Sequence, residues 1–532
     1  MSVATRANSN VAALLGGPVA SRPDAPALIE GSGARERATT FAALDLRARR
    51  AAALLRSRGV GAGDTVLFFE APGAELYAAL VAVFRLGAVA MFVEPSAGRT
   101  VLESACAMLP PRALVASHRA HLLRLLSPAL RRIPVKLVTR GWAPGAARLG
   151  AADALPPDEE LAMVDVDAPA LLTFTSGTTG RPKGAVRTHG VLRAQLDALG
   201  GVAARAGERE LVSLPIVVLL NLASGAETVI PDADLRRPGE IDPAPVLSQV
   251  ERHGVTRITA SPAFLERMVD AAEDGALGGI RTIVTGGGPV FPDIVERASR
   301  AAPHARVVSV YGSTEAEPIA HVTDREVTPR DREAMRDGAG LLAGEPSPVV
   351  ELRIVEPRWG TPVPPLDAAA LDDWTVASGD AGEIVVTGAH VVPGYLNGTG
   401  DEETKFRVDG RVWHRTGDLG RLDAAGRLWL LGRAAAVIED GRGTLFPFAV
   451  ECAARERLGL RRVAVVARDG RRVLVAEAPP RGELDRARAL EALAWAELDD
   501  LVVVPRLPMD RRHNSKVDHQ GVLTILERAR QR

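Results

Sequence analysis

A run of hydroxyl-bearing and glycine residues that could bind a phosphate group follows the apolar stretch Ala170 to Phe174. Glycine lets the backbone turn tightly and bring its N–H groups to phosphate oxygens, and Ser and Thr hydroxyls add further donors. The run is not a Walker loop, because Pro182 and Gly184 stand where that motif requires Gly and Ser or Thr. We therefore predict a phosphate-binding loop rather than an exposed surface turn, formed by Thr175, Ser176, Gly177, Thr178, Thr179 and Lys183.

Lysine is scarce in this chain, and its distribution indicates a second charged position. Of 65 basic residues only four are lysines, namely Lys136, Lys183, Lys405 and Lys516. Arginine does not replace lysine where a compact point charge is needed. Lys516 follows the pair Leu507 and Pro508 near the end of the chain. It is a candidate for contact with an anion, and the alternative is a solvated lysine in a basic tail.

The composition excludes several other classes of function. The chain has 532 residues and a net charge of -1, which argues against a partnership with nucleic acid. Its two cysteines are far apart, so they form neither a disulfide framework nor a zinc-site spacing. No signal peptide is recognised, and the longest apolar stretch, residues 211–220, is too short for a transmembrane segment. We expect a cytoplasmic protein.

The candidate binding residues need a scaffold that brings loops together, and the sequence predicts an α/β scaffold. Strand-like and helix-like segments alternate at 64–70, 74–86 and 88–93. A second block has a strand at 280–285 and another at 307–310, which end in a triple-glycine loop and in a Tyr-Gly pair. Ligands of open α/β sheets lie beyond the carboxyl ends of strands, so these loops are candidate site positions.

The last hundred residues show a different pattern of predicted secondary structure. The pair Asp469 and Gly470 separates two apolar segments and predicts a hairpin, and residues 484–498 predict a helix. The fold class is therefore α/β, with a large N-terminal multi-sheet domain over residues 1–431 and a smaller C-terminal α+β domain over residues 432–532.

The phosphate loop resembles the signature of the adenylate-forming superfamily, which includes acyl-CoA synthetases, luciferases and the adenylation domains of peptide synthetases. Segments that resemble its other motifs follow in the right order, at 286–288, 311–315, 416–418 and 432–433. By that resemblance Tyr311 stacks on adenine, Asp418 and Arg433 bind the ribose, and Gly287 lies against the nucleotide. The resemblance implies that ATP activates a carboxylic acid as an acyl-adenylate.

The resemblance also implies which residues are catalytic. Thr314 contacts the phosphate or the acyl carboxylate, and Glu315 holds Mg²⁺, which prefers oxygen ligands. Lys516 reaches the α-phosphate and the carboxylate, and stabilises the charge that develops there. Two extra residues and Ser515 in place of glycine separate Lys516 from the family pattern. In the family the C-terminal domain rotates between half-reactions, so we expect a mobile C-terminal domain.

One segment departs from the relatives that make thioesters. Their hinge continues with an acidic residue, a lysine and a glycine that line the thiol tunnel. Here Ala435, Glu439 and Arg442 occupy those positions. We therefore expect coenzyme A not to be used.

Other segments resemble the olefin β-lactone synthetases. They include 214–215, 221–223, 229–234, 237–238, 241–243, 412–415, 443–445 and 512–514. In that branch ATP activates a β-hydroxy fatty acid and the hydroxyl displaces AMP. We therefore predict a β-lactone synthetase of fatty acid metabolism and olefin biosynthesis, whose partners include other enzymes of the same pathway.

Several alternatives remain open at this stage. The chain could be a long-chain fatty acyl-CoA or acyl-AMP ligase, or a nucleotide-binding pseudoenzyme. A pseudoenzyme is expected to have lost one of five polar residues, and all five are present: Lys183, Glu315, Asp418, Arg433 and Lys516. The general base for ring closure is not identified, and His189, His414 and His513 are candidates by residue type and position. Asn221 occupies an acyl-pocket segment where many relatives have His or an aromatic residue, and the apolar run Ile216 to Leu220 is a candidate pocket wall.

Overall fold

The structure is a computed structural model of the chain. It describes residues 8–94, 98–176, 182–478, 484–510 and 516–530, without the side chains of Thr175, Ser176, Ala529 and Arg530. Contacts within the chain define two compact units. The first comprises Met1–Asp232, Ser248–Thr259 and Ala389–Asp401, and the second Ala233–Leu247, Ala260–Gly388 and Glu402–Arg532. The predicted domain boundary between residues 431 and 432 stays a prediction.

The helices in the described ranges are mostly short. They are α1 (Gly16–Ser21), α2 (Phe41–Ser57), α3 (Ala74–Arg85), α4 (Gly98–Met108), α5 (Leu123–Leu126), α6 (Pro128–Arg132), α7 (His189–Ala198), α8 (Pro215–Ser224), α9 (Pro243–Arg252), α10 (Pro262–Ala271), α11 (Pro292–Ala301), α12 (Pro329–Arg336), α13 (Ala368–Trp374), α14 (Asp401–Thr404), α15 (Pro447–Leu458), α16 (Arg486–Ala492) and α17 (His519–Arg530).

The strands alternate with these helices. They are β1 (Pro26–Glu30), β2 (Arg37–Thr40), β3 (Thr65–Phe69), β4 (Val89–Val93), β5 (Ala113–Ala116), β6 (Val135–Val138), β7 (Ala147–Arg148), β8 (Pro169–Ser176), β9 (Pro182–Thr188), β10 (Arg209–Val212), β11 (Glu227–Val229), β12 (Arg257–Ala260), β13 (Thr282–Gly286), β14 (Arg306–Ser313), β15 (Ala316–Thr323), β16 (Leu341–Pro346), β17 (Glu351–Val355), β18 (Gly382–Thr387), β19 (Lys405–Val408), β20 (Arg411–Leu422), β21 (Leu428–Arg433), β22 (Ile438–Asp440), β23 (Gly443–Leu445), β24 (Val463–Arg468), β25 (Arg471–Glu477) and β26 (Asp500–Val504).

The first unit contains two sheets of mainly parallel strands. One has the order β7-β6-β5-β3-β4-β8-β9, in which only β9 is antiparallel to its neighbour. The other has the order β12-β10-β11-β1-β2, with β2 antiparallel at the edge. The nearly continuous apolar sequence of α3 buries ten of its twelve residues between such layers. The predicted strands and helix at 64–93 are confirmed as β3, α3 and β4.

The second unit has a long sheet with the order β17-β18-β20-β21-β16-β15-β14-β13. Only β13 and β14 are parallel, and the other pairs are antiparallel. The predicted strand at 280–285 is confirmed as β13, and the expected α/β fold class with several sheets is confirmed.

The C-terminal residues of the second unit form a three-stranded sheet, β24-β25-β26, with α15 and α17 packed nearby. The predicted hairpin is confirmed, because Asp469 and Gly470 both have positive φ, as a two-residue turn of type I′ requires. The predicted helix over 484–498 is wrong in length. It is α16, followed by a separate 3-10 helix at Ala494–Ala496, and Glu497 at φ 48° ends the helical run.

Candidate active site

A pocket of about 400 Å³ lies within the second unit. Its walls come from the ends of strands and from the C-terminal residues of that unit. Predicted nucleotide and catalytic residues on this wall are Gly287, Tyr311, Asp418, Arg433 and Lys516. The pocket therefore brings together residues that lie more than 220 positions apart in the sequence.

Glycine is required where β13 reaches the pocket. A Cβ atom at Gly286 would lie 2.7 Å from the carbonyl oxygen of Val310, so a side chain there would push β13 away from β14. Gly287 follows with φ 82°, a backbone conformation that favours glycine. The end of β13 can thus turn sharply and expose its backbone at the pocket.

Tyr311, Asp418 and Arg433 form one polar cluster on the pocket wall. The Tyr311 hydroxyl donates to Oδ2 of Asp418 at 2.8 Å, and Nε of Arg433 lies 3.1 Å from Oδ1 of the same carboxylate. Strand pairing sets this arrangement, because Asp418 on β20 and Arg433 on β21 are direct register partners. The Asp418 charge raises the pKa of Arg433, so the guanidinium stays charged.

Thr416 fixes the part of β20 that carries the Asp418 carboxylate, and it was not among the predicted site residues. Its hydroxyl donates to the carbonyl oxygen of Ile384 at 2.9 Å and accepts from the backbone N–H of Asp418 at 3.0 Å. Nη1 of Arg433 donates to the Thr416 carbonyl oxygen at 3.1 Å. The position of Thr416 in the Thr-Gly-Asp motif at 416–418 is the sequence signal that could have identified it as a site residue.

Thr314 and Glu315 lie in the short turn between β14 and β15, directly after Tyr311. The backbone N–H of Glu315 donates to the Ser313 hydroxyl at 3.2 Å, which holds the turn. Glu315 is close enough to contribute, after Asp418, to the raised pKa of Arg433. The described residues contain no group of three or more His, Cys, Asp or Glu side chains arranged to hold a metal ion.

Lys516 is exposed and lies on the pocket wall. Two backbone contacts place it: the N–H of Lys516 donates to Oδ1 of Asp510, and the N–H of Asp510 donates to the Lys516 carbonyl oxygen, both at 2.8 Å. Met509 and Val517 pair as an isolated bridge beside them. The intervening residues 511–515, which include the candidate His513, lie outside the described residues.

Lys183 is placed in the first unit, on β9. Its side chain is buried, and its Nζ lies 5.8 Å from the centre of the Tyr395 ring. A Cβ at Gly400, where φ is 95°, would come within 2.5 Å of the Lys183 Cε. Gly177, Thr178 and Thr179, together with the side chains of Thr175 and Ser176, lie outside the described residues.

The changed hinge segment carries an ion-pair network. Arg442 contacts Asp440 at 2.9 Å and Asp499 at 3.0 Å. Arg472 adds a second guanidinium to Asp440 at 2.7 Å. Hydrogen bonds from Arg472 and Arg442 lower the pKa of Asp440, so this carboxylate stays ionised. Arg442, at the position where the thioester-forming relatives have the tunnel glycine, thus links the hairpin β22-β23 to Asp499, the residue before β26.

Comparison with known proteins identifies the family to which this chain belongs. The AMP-binding enzyme family matches residues 18–396 of this chain. An olefin β-lactone synthetase of Stenotrophomonas maltophilia is 32% identical, over 96% of this chain and 97% of that protein. One of Xanthomonas campestris pv. campestris is 31% identical, over 86% of this chain and 84% of that protein.

The chain belongs to the AMP-binding enzyme family. It is an acid-activating, AMP-forming ligase that resembles the β-lactone synthetases, and the family uses ATP. The fold agrees with ATP-bound MatB from Rhodopseudomonas palustris, with a TM-score of 0.79 and 22% identity over 98% of this chain and 99% of that one. None of the helices described for this AMP-binding enzyme has the length and apolar character needed to cross a membrane.

Two histidines that the sequence offered as general bases are buried. His414 holds its Nδ1 3.1 Å from the Thr404 carbonyl oxygen, and burial and the nearby Lys405 lower the pKa of His414 to about 3. His189 is fully buried, and its Nδ1 accepts from the backbone N–H of Val11 at 3.1 Å. In this AMP-binding enzyme His189 therefore acts as an internal contact, without access to a substrate.

Asn221, in the predicted acyl-pocket segment, forms internal contacts in the first unit. Its side chain is fully buried and donates to Oε2 of Glu210 at 2.7 Å and to the Thr228 hydroxyl at 3.1 Å. The Thr259 hydroxyl donates a second hydrogen bond to the Glu210 carboxylate, to Oε1 at 2.6 Å. The amide therefore satisfies a buried charge rather than facing a ligand. Ile216 and Leu220 do line a second, small apolar cavity of about 50 Å³ in the first unit.

Proposed function

We propose that this enzyme adenylates a long-chain β-hydroxy fatty acid with ATP and Mg²⁺, and that the β-hydroxyl then displaces AMP to form a β-lactone. The single observation that supports acid activation best is the cluster of Tyr311, Asp418 and Arg433 in one pocket with Lys516. The similarity to two olefin β-lactone synthetases supports the choice of product.

In the proposed complex the nucleoside lies against the cluster. The Tyr311 ring offers a stacking face for adenine, and Asp418 accepts hydrogen bonds from the ribose hydroxyls. Arg433 orients the Asp418 carboxylate, with its Nε 3.1 Å from Oδ1. Gly287 has no side chain, so its backbone can lie close to the nucleotide. The loop residues Thr175, Ser176, Gly177, Thr178 and Thr179 and the Lys183 ammonium group stay predicted phosphate-binding residues.

The proposed Mg²⁺ site is formed mainly by ATP. Mg²⁺ is commonly held by one or two carboxylates together with substrate phosphates and water. Glu315 fits as such a single carboxylate, in the turn beside Arg433, and the described residues contain no cluster for a resident ion. When bound, Mg²⁺ supplies charge neutralisation for the phosphates.

The first reaction step forms the mixed anhydride. A carboxylate oxygen of the acid attacks the α-phosphorus of ATP, and the bond to pyrophosphate breaks with its electron pair leaving on pyrophosphate. We expect Lys516 to stabilise the negative charge that develops between the carboxylate and the α-phosphate. Thr314 offers a hydroxyl donor to the same oxygens.

The second step needs a nucleophile. The hinge residues Ala435, Glu439 and Arg442 do not reproduce the thiol tunnel of the thioester-forming relatives, and Arg442 is tied to Asp440 and Asp499. The β-hydroxyl oxygen of the substrate attacks the acyl carbon, the bond from that carbon to AMP breaks, and the hydroxyl proton leaves to a base. Intramolecular attack has effective molarities of about 10⁵–10⁸ M when well oriented, which competes with water in a closed site.

Product analysis tests this proposal. We expect a 3-hydroxy fatty acid with ATP and Mg²⁺ to give pyrophosphate, AMP and a β-lactone, whose strained carbonyl is identified by infrared spectroscopy and NMR. The matched acid without the 3-hydroxyl should be adenylated but give no lactone. Release of ADP and phosphate would contradict adenylation. Equal conversion of both acids to an acyl-AMP or acyl-CoA, without lactone, would identify an ordinary long-chain ligase instead.

A further inference from the structure

Four leucines are exposed together on a short helical tip of the first unit. The tip consists of a 3-10 helix, Ala120–Leu122, that continues into α5. Leu122 is 62% exposed, Leu123 40%, Leu125 74% and Leu126 64%. Residues three and four apart lie on one face of a helical turn, so Leu122 is adjacent to Leu125 and Leu126. No element in the described parts of the chain covers this apolar surface.

Hydrogen bonds fix the tip in place. Nη1 of Arg131 donates to the carbonyl oxygens of Arg124 and Leu125, at 3.2 and 3.0 Å, which satisfies the end of α5. Nη1 of Arg124 donates to the Pro144 carbonyl oxygen at 2.7 Å. That contact holds the loop that contains Trp142 beside the tip, and the Trp142 side chain is 66% exposed. We call the four leucines and Trp142 the leucine tip.

The sequence segment that contains the leucine tip carries charge of one sign. Residues 110–152 contain no Asp or Glu, although the whole chain has a net charge of only -1. The basic residues of this segment are Arg112, Arg119, Arg124, Arg131, Arg132, Lys136, Arg140 and Arg148.

Only part of this charge is compensated by neighbouring elements. Arg140 pairs with Glu30 at 2.6 Å, and Glu103 accepts from Ser127 at 2.5 Å beneath the tip. Within the described parts of the chain, Arg119, Arg124, Arg131 and Arg132 form no ion pair. Arg119 and Arg132 are exposed. Uncompensated guanidinium groups therefore surround an apolar tip.

We propose that the leucine tip docks on an anionic lipid surface. Leucine and tryptophan side chains of this kind insert into the boundary between headgroups and acyl chains, while flanking arginines contact lipid phosphates. An anionic surface is complementary to the excess of positive charge in the segment that carries the tip. The inference does not depend on β-lactone formation, since it concerns where the protein binds and not which product it releases.

Vesicle sedimentation of the full-length enzyme tests the proposal. The probes are vesicles of phosphatidylcholine alone and vesicles in which about one third is phosphatidylglycerol. We expect binding to the anionic vesicles only, and its loss at about 1 M salt, where charges are screened within a few ångströms. Leu125→Ser with Leu126→Ser should abolish sedimentation, because these residues are exposed and serine removes the inserting groups.

A charge variant with a matched control distinguishes docking on anionic lipid from non-specific adsorption. Arg119→Gln with Arg132→Gln should weaken partitioning about fivefold for each neutralised arginine. Arg35→Gln with Arg37→Gln removes the same charge from exposed positions elsewhere in the first unit and should change little.

Three outcomes would overturn the proposal. One is equal binding of wild type to both vesicle types, and another is equal loss in the two arginine pairs. The third is a soluble oligomer without vesicle binding that Leu125→Ser with Leu126→Ser disperses, which would assign the leucine tip to a second copy of the chain. Leu46→Ser, at another exposed leucine, controls for a general effect of removing surface leucine.

Discussion

The buried imidazole of His189 makes a prediction whose size follows from its surroundings. His189 begins α7, accepts from the backbone N–H of Val11, and packs edge-on against Phe84. Because Nδ1 is the acceptor, the proton resides on Nε2, which has no hydrogen-bond partner among the described residues. Burial, together with the charge of Arg193, lowers the pKa of His189 to about 4. The perturbation we consider is His189→Asn, whose amide oxygen can replace Nδ1 as the acceptor.

The sign of the pH effect follows from that pKa. The unfolded segment binds a proton below about pH 6.5, whereas folded His189 binds one only below about pH 4. Stability is therefore lost as the pH falls from about 6.5 to about 4, because only the opened form gains a proton there. Between about pH 8 and pH 5 the loss at this one group is about 2 kcal/mol.

Hydrogen–deuterium exchange of peptides from α7 measures this loss as an opening free energy at each pH, after correction for intrinsic exchange rates. We expect wild type to lose about 2 kcal/mol more than His189→Asn between about pH 8 and pH 5. His304→Asn, at an exposed position, should behave like wild type. An equal pH dependence in wild type and His189→Asn would refute the reasoning. Loss of adenylation in a folded His189→Asn enzyme would return His189 to the list of catalytic candidates.

Three further predictions concern the proposed site. Lys516→Ala should slow adenylate formation about 10²-fold with little change in ATP affinity, as measured by pyrophosphate exchange, and a near-normal rate would assign this role to another residue. Asp418→Asn should raise the KM for ATP about 10- to 100-fold, because charged hydrogen bonds are worth about 1.5–3 kcal/mol. The KM for the acid should stay unchanged. A raised KM for the acid with an unchanged KM for ATP would place the acid, not the ribose, at Asp418. Because Arg442 is tied to Asp440 and Asp499, added coenzyme A should neither raise turnover nor give a thioester, and acyl-CoA formed as fast as AMP would contradict the β-lactone assignment.

The sequence by itself determined the features that depend on local pattern. Runs of apolar residues predicted β3, α3, β4 and β13, because a buried element must be apolar over its own length. Asp469 and Gly470 predicted the hairpin, since few other pairs adopt positive φ twice in succession. Family membership was also readable, because motifs retain their order and spacing along the chain.

Only the tertiary structure decided which side chains meet and which are withdrawn from water. Asp418 and Arg433 are fifteen residues apart, and the register of β20 and β21 places them opposite one another. His189 and Asn221 have side chains typical of site residues, but both are fully buried and hydrogen-bonded within the first unit. The leucines of α5 look like core residues in the sequence, yet they lie at the surface. A local pattern records the preference of a residue for apolar or polar surroundings, and the long-range packing of the chain decides what those surroundings are.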